Sequence, residues 1–145
     1  MATRMIDRNA HRWGAGISVV VLVIAYVANL SALVMIIWVA LGIGTFFGLR
    51  YSPLGAAYRI GKKALKLNIS IVPEDEPPPR FAQLMGFAML SLSAIGFYLL
   101  DNRVMGWTFA IIVAALQTLL AATGICVGCE MYLFGKRLTA NRGAA

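Results

Sequence analysis

The chain has 145 residues, of which 60% are hydrophobic and 13% charged, and its mean hydropathy is +0.77. A soluble domain needs a polar coat that this composition cannot supply, so the chain is predicted to be an integral membrane protein. The net charge is +7. Attraction to anionic lipid headgroups accounts for this charge, and we expect no nucleic-acid partner.

The first half of the chain carries two predicted membrane spans. No charged side chain occurs between Arg12 and Arg50, whereas one crossing needs only about 20 apolar residues. The small and polar residues Asn29-Leu30-Ser31 interrupt this run near its middle and are typical of a tight turn. We therefore predict a hairpin with spans at about 13–29 and 32–49.

An amphipathic helix at about 53–67 is predicted to follow this hairpin. Pro53 suits its first turn, where a proline costs no intrahelical hydrogen bond. Its basic residues recur at helical spacing on one face and its apolar residues on another, which favours a helix lying in the lipid headgroup layer over one that docks a partner. The basic residues that would contact this lipid surface are Arg59, Lys62, Lys63 and Lys66.

The segment Glu74-Asp75-Glu76-Pro77-Pro78-Pro79 is acidic and rich in proline. Consecutive prolines disfavour a continuing helix, so the segment is predicted to run extended as a stiff connector. The alternative is an interaction epitope.

The second half of the chain predicts a second hairpin, with spans at about 81–100 and 105–125 and a turn at Asp101-Asn102-Arg103. The predicted fold is therefore an all-α integral membrane protein of four transmembrane helices, forming one domain over residues 1–145. Both hairpins start on the same side of the membrane, which makes them a parallel pseudo-repeat.

The positive charges predict the orientation of the chain. Lys and Arg precede the first span, fill the central loop and follow the fourth span, whereas Arg103 alone lies on the opposite side. Positively charged flanks are retained on the cytoplasmic side. We expect a multi-pass protein of the bacterial inner membrane with both termini in the cytoplasm.

Glycines recur at matching positions near the ends of spans two and four. Gly44 and Gly48 are spaced like Gly124 and Gly128, and such small-xxx-small motifs permit close helix packing. We expect spans two and four to make the tightest helix contact. This alignment of the two halves places Cys126 and Cys129 opposite Phe46 and Leu49.

Cys126 and Cys129 are the only cysteines of the chain. Two cysteines at this spacing share a helix face and can form a disulfide, bind a metal ion or transfer sulfur. At the C-terminal end of span four, the helix dipole and Glu130 both disfavour a thiolate, so ordinary thiol reactivity is expected. Lys136 and Arg137 would favour a thiolate, as would a helix break at Gly128 that restarted a helix at Cys129.

A metal site is an alternative use of the same cysteines. Two ligands do not complete a tetrahedral site, and His11, the only histidine, is predicted to lie on the same side of the membrane. A mixed site would use Cys126, Cys129, His11 and Glu130, or two chains would pool four cysteines. Otherwise His11 is expected to be a solvated interfacial residue, and no cofactor is predicted.

Four motifs carry a resemblance to a known family. They are Asp7-x-Asn9-x-x-Arg12, Gly48-Leu49-Arg50-Tyr51-Ser52-Pro53-Leu54, Pro79-Arg80-Phe81-Ala82-Gln83 and Gly124-Ile125-Cys126-Val127-Gly128-Cys129-Glu130-Met131-Tyr132. Together they resemble the bacterial membrane family catalogued as domain of unknown function 4395. The resemblance implies this fold and topology, and it implies an association with thioredoxin-like or sulfurtransferase proteins, but its members share no agreed activity.

Two functions are compatible with these features. The first is a small non-catalytic accessory or assembly subunit that docks on other membrane subunits, because the spans lack ionisable groups. The alternative is a membrane partner in cytoplasmic thiol-redox or sulfur transfer. In that case Cys129 is expected to be the more accessible nucleophile and Cys126 its resolving partner.

Overall fold

The computed structural model describes residues 5–68 and 70–143. This part of the chain is almost entirely helical. It contains a single 3-10 turn at Leu49–Tyr51 and two short strands, β1 (Met5–Asp7) and β2 (Pro73–Asp75). The α-helices are α1 (Arg8–Val27), α2 (Ser31–Phe47), α3 (Pro53–Ala64), α4 (Pro77–Tyr98), α5 (Arg103–Thr123) and α6 (Val127–Gly143).

Three of these helices, α1, α4 and α5, are long and apolar enough to cross a membrane. The apolar helix α2 has 17 residues, which gives it a length of about 26 Å against a hydrocarbon core of about 30 Å. It ends before the predicted boundary because Gly48 adopts a φ of +100° and leaves the helix. The buried core lies between the four helices and includes Leu22, Val34, Leu41, Leu90 and Val113.

The connections within each half are short and lie where the sequence predicts turns. Asn29 and Asp101 both adopt a positive φ, which asparagine and aspartate tolerate better than most residues. Asn102 caps α5, because its side chain accepts a hydrogen bond of 3.1 Å from the backbone N–H of Met105. Each turn reverses the chain and brings the two helices that it joins into contact.

Helix α3 occupies most of the range predicted for the amphipathic helix, and Pro53 is in its first turn. Leu54 and Tyr58 are buried, whereas Arg59 and Lys63 are exposed. The helix ends at Ala64, so Lys66 lies beyond it, with a φ of +48°. The helix therefore has an apolar face against the bundle and basic residues on its outer surface.

The proline-rich segment is only partly extended, which corrects the prediction. Pro77, Pro78 and Pro79 form the first turn of α4, because the N–H groups that prolines lack have no intrahelical partner at that position. Glu74 and Asp75 are extended in β2. Strand β2 pairs antiparallel with β1, with Ile6 opposite Glu74, and neither strand is predicted from the sequence.

The two halves of the chain make corresponding contacts. Each half contains a strand, two long helices and a shorter helix that packs on the first long helix of its own half: α3 on α1, and α6 on α4. The aromatic pair at the first interface is Trp13 with Tyr58, with ring centroids 6.3 Å apart. At the second interface Phe81 and Tyr132 are 5.7 Å apart.

The predicted close contact between spans two and four is wrong. Within the described residues, α2 and α5 both pack closely on α4 and form no close pair with each other. Gly44 leaves room for the side chain of Gln83 on α4, and Gly128 lies on α6, where it faces Ala82 of α4. Gly48 and Gly124 terminate helices instead of packing them.

We expect Gly128→Ala to destabilise the fold, because the added Cβ would lie 2.7 Å from both Cα and Cβ of Ala82. Overpacking of this kind costs about 1–3 kcal/mol. Gly135→Ala is the matched control on the same helix, since its Cβ meets no described atom within 4 Å. Thermal unfolding in detergent should show a loss for the first variant alone, and equal stability would contradict the packing.

Candidate dithiol site

The site begins at a break between two helices. Helix α5 ends at Thr123, and Gly124 adopts a left-handed conformation with a φ of +75°. Glycine adopts this conformation without the steric cost that a Cβ brings. The chain turns through Ile125 and starts the new helix α6 at Val127. The sequence predicts that the cysteines lie at the C-terminal end of a membrane span. That placement is wrong, because both cysteines follow the end of α5.

Cys126 and Cys129 lie at the start of α6. The carbonyl of Cys126, the residue preceding the helix, accepts a hydrogen bond of 2.9 Å from the N–H of Glu130. The N–H of Cys129 donates to Sγ of Cys126 at 3.3 Å. The two sulfurs are at disulfide distance, with Cα atoms 5.1 Å apart. A helix N-terminus favours negative charge, so the expected argument against a thiolate no longer holds.

The two cysteines differ in accessibility. Cys129 is 6% exposed, because it lies on the face of α6 that packs on the bundle. Cys126 is half-buried. The prediction that Cys129 is the more accessible nucleophile is therefore wrong, and Cys126 is the thiol that a reagent or partner can reach more easily.

Two arginines of α1 bind the end of α5 next to the cysteines. The Arg8 guanidinium donates to the carbonyl of Gly124 at 3.3 Å, and that of Arg12 donates to the carbonyl of Ala121 at 3.1 Å. These carbonyls have no partner within the helix. The arginines thus satisfy the helix end and add positive charge beside the dithiol segment, where it favours a thiolate.

The other half of the molecule repeats this arrangement without cysteines. Arg80 of α4 donates to the carbonyl of Thr45, at the end of α2, at 2.8 Å. Ser52 directly precedes α3, as Cys126 directly precedes α6. The structure therefore places Cys126 opposite Ser52 and Cys129 opposite Gly55. The alignment with Phe46 and Leu49 is wrong. It requires corresponding positions to be 80 residues apart, whereas the helix-ending Gly48 and Gly124 are 76 apart and the starts of α3 and α6 are 74 apart.

His11 joins the dithiol from α1. One ring nitrogen of His11 and the two cysteine sulfurs all lie within 4.8 Å of one another. His11 is partly buried, and its Nε2 has no hydrogen-bond partner among the described residues. It is therefore not the solvated residue that was expected. Glu130, the fourth candidate ligand, is exposed and lies outside this group.

The comparison with known families agrees with the resemblance found in the sequence. The family model described as a domain of unknown function (DUF4395) matches residues 6–137. The chain belongs to the DUF4395 family. No curated protein and no solved structure matches it.

Beside the dithiol, this DUF4395 protein has a cavity of about 570 Å³ that His11 also lines. Ser52 is 1% exposed and Gln83 is 7% exposed. Both line the cavity, and their Oγ and Oε1 atoms have no hydrogen-bond partner among the described residues. The sequence offered only a weak signal for them, namely polar residues next to apolar spans.

Two of the four predicted lipid-surface residues lie at this cavity, whereas Lys63 and Lys66 do not line it. Arg59 and Lys62 line the cavity, and Arg59 donates to the carbonyl of Arg50 at 3.0 Å.

The hydroxyl of Tyr58 donates to Asp7 at 3.2 Å. Burial, together with the Asp7 carboxylate, raises the pKa of the Tyr58 phenol. The phenol therefore stays protonated and keeps this bond at neutral pH.

We expect Cys126 to be alkylated several-fold faster than Cys129 in the reduced protein, because it is the more exposed thiol at the helix start. The rates are measured by mass spectrometry on Cys129→Ser and Cys126→Ser, which each retain one thiol. Faster alkylation of the variant that retains Cys129 would contradict the site geometry.

Proposed function

We propose that this chain is a membrane-bound dithiol–disulfide exchange protein that acts through Cys126 and Cys129. The observation that carries the proposal is that the only two cysteines sit at a helix start with their sulfurs at disulfide distance. Redox-active cysteines are typically found at helix N-termini and near cationic side chains. Arg8 and Arg12 supply the cationic side chains here.

The exchange reaction follows from the difference in accessibility. The Cys126 thiolate attacks one sulfur of a partner disulfide, so that a mixed disulfide forms and the other partner sulfur leaves as a thiolate. Cys129 then gives up its proton and attacks Sγ of Cys126. The Cys126–Cys129 disulfide forms, and the partner leaves as a dithiol. The reverse sequence reduces the pair and oxidises the partner.

The proposed setting is a membrane that the chain crosses four times, with α2 as the fourth span beside α1, α4 and α5. Short turns reverse the chain at Asn29 and Asp101. The cysteines, helix α3 and most basic residues then share one membrane surface. By the distribution of positive charge this surface is cytoplasmic, as are both termini, and the membrane is the bacterial inner membrane.

The proposed partner is a thioredoxin-like protein on that surface. Met131 and Phe134 of α6, five and eight residues after Cys126, are exposed, and they offer apolar contacts to a protein that approaches this helix. A sulfurtransferase is the alternative partner. In that case the partner carries a cysteine persulfide. The Cys126 thiolate attacks its outer sulfur, the partner's cysteine leaves as a thiolate, and the product on Cys126 is a persulfide.

The accessory-subunit function remains a prediction. It does not require the thiols, whereas our proposal does. The double variant Cys126→Ser, Cys129→Ser would retain complex assembly if the chain is an accessory subunit. The same variant would lose all exchange if the dithiol is the working group.

Trapping of the mixed disulfide tests the proposal. Reduced Cys129→Ser in detergent is mixed with a thioredoxin-like protein that keeps only one active-site cysteine, activated as its mixed disulfide with thionitrobenzoate. Thionitrobenzoate leaves, and a covalent complex that reductant dissolves is expected to accumulate, because neither protein retains a resolving thiol. Cys126→Ser should accumulate much less, because its remaining thiol is buried. If neither variant forms the complex, and the wild type exchanges no faster than the double variant, the proposal fails.

Thiol labelling in sealed cells tests the orientation. A membrane-impermeant maleimide applied from outside should leave Cys126 and Cys129 unmodified until the membrane is opened. A cysteine introduced at Asn102, in the opposite turn, is the positive control and should react in intact cells. Reaction of Cys126 from outside would reverse the proposed topology.

A further inference from the structure

The only histidine and the only two cysteines of the chain meet at one point. His11 is 115 positions before Cys126 in the sequence and belongs to a different helix. Its ring nitrogen and both sulfurs lie within 4.8 Å of one another. Disulfide exchange requires only the two sulfurs, so the position of the imidazole is not explained by the proposed function.

We propose that the reduced dithiol and His11 form a binding site for Zn²⁺ with three protein ligands. Zinc binds thiolate sulfur at about 2.3 Å and imidazole nitrogen at about 2.0 Å, which places tetrahedral ligand atoms roughly 3.5 Å apart. Rotation of the His11 side chain that moves its ring nitrogen by about 1 Å brings the nitrogen to this spacing. The two sulfurs separate to the same spacing once their bond is reduced.

The donor set selects the kind of ion. Two thiolates and one imidazole suit zinc, whereas Ca²⁺ and Mg²⁺ prefer oxygen ligands. Glu130 is exposed and lies outside the group, so it is not a ligand. Three protein ligands leave a fourth position on the ion for water or for a thiolate of a partner.

The zinc site and the disulfide exclude each other. Reduction of the disulfide takes up two electrons and two protons and gives two thiols. Zinc binding then displaces those two protons, because only thiolates ligate the ion. Oxidation of the pair by a partner disulfide, which takes up the two electrons and leaves as a dithiol, releases the ion. The zinc site rests on the proposed function in one respect, since it needs a dithiol that can be reduced. Bound zinc would hold the two cysteines in their reduced form.

The test uses Co²⁺ as a coloured substitute for Zn²⁺, added anaerobically to the reduced, purified chain in detergent. We expect one ion per chain and the charge-transfer absorption of cobalt–thiolate bonds, which Zn²⁺ then abolishes. The disulfide form should give no such absorption. His11→Gln should weaken binding by about 100-fold or more, because loss of an outer-shell partner alone costs 10- to 100-fold. Glu130→Gln is the matched control and should bind like the wild type.

Three results would overturn the zinc site. They are no thiolate absorption in the reduced wild type, equal affinity of His11→Gln and wild type, and one ion per two chains with four thiolates. Exchange is assayed separately with a chelator present, so it can succeed when zinc binding fails. Circular dichroism and thermal unfolding of His11→Gln establish that the variant is folded, and Cys126→Ser provides a second loss of one ligand.

Discussion

Backbone carbonyls at the ends of the apolar helices are the constraint on which this structure depends. The last carbonyls of a helix have no intrahelical partner, and burying them unpaired is costly. Arg12 of the first half binds the end of α5, and Arg80 of the second half binds the end of α2. Each half therefore completes a helix of the other, which ties the two halves together at the end of the molecule that carries the cysteines.

Comparison of the two halves distinguishes the residues that build the backbone from the residues that carry the chemistry. Both halves end their second long helix at a glycine of positive φ and start a shorter helix a few residues later. Ser52 precedes one shorter helix and Cys126 the other. Because the surrounding contacts correspond, this backbone forms without thiols. The cysteines are an addition to one half, opposed by His11 from the first helix.

Much of the fold could be predicted from hydropathy and from turn residues, because a charge-free run and a polar interruption have simple physical consequences in a membrane. Pro77, Pro78 and Pro79 misled the prediction, since prolines exclude a helix interior but suit a helix start. The strand pair was not predictable, because three residues at Met5–Asp7 carry no period and pair with a segment that lies far away in the chain.

The site was less predictable than the fold, because its electrostatics depend on the single residue Gly124. In sequence this glycine looks like one member of a packing motif inside an apolar run that continues through Ile125. A positive φ at this residue ends one helix, whose C-terminus disfavours a thiolate, and a new helix begins three residues later, whose N-terminus favours one. The position of His11 has no local signal at all. It depends on α1 packing against α5. The sequence alone therefore identifies the two thiols, whereas the residues that surround them are known only from the tertiary packing.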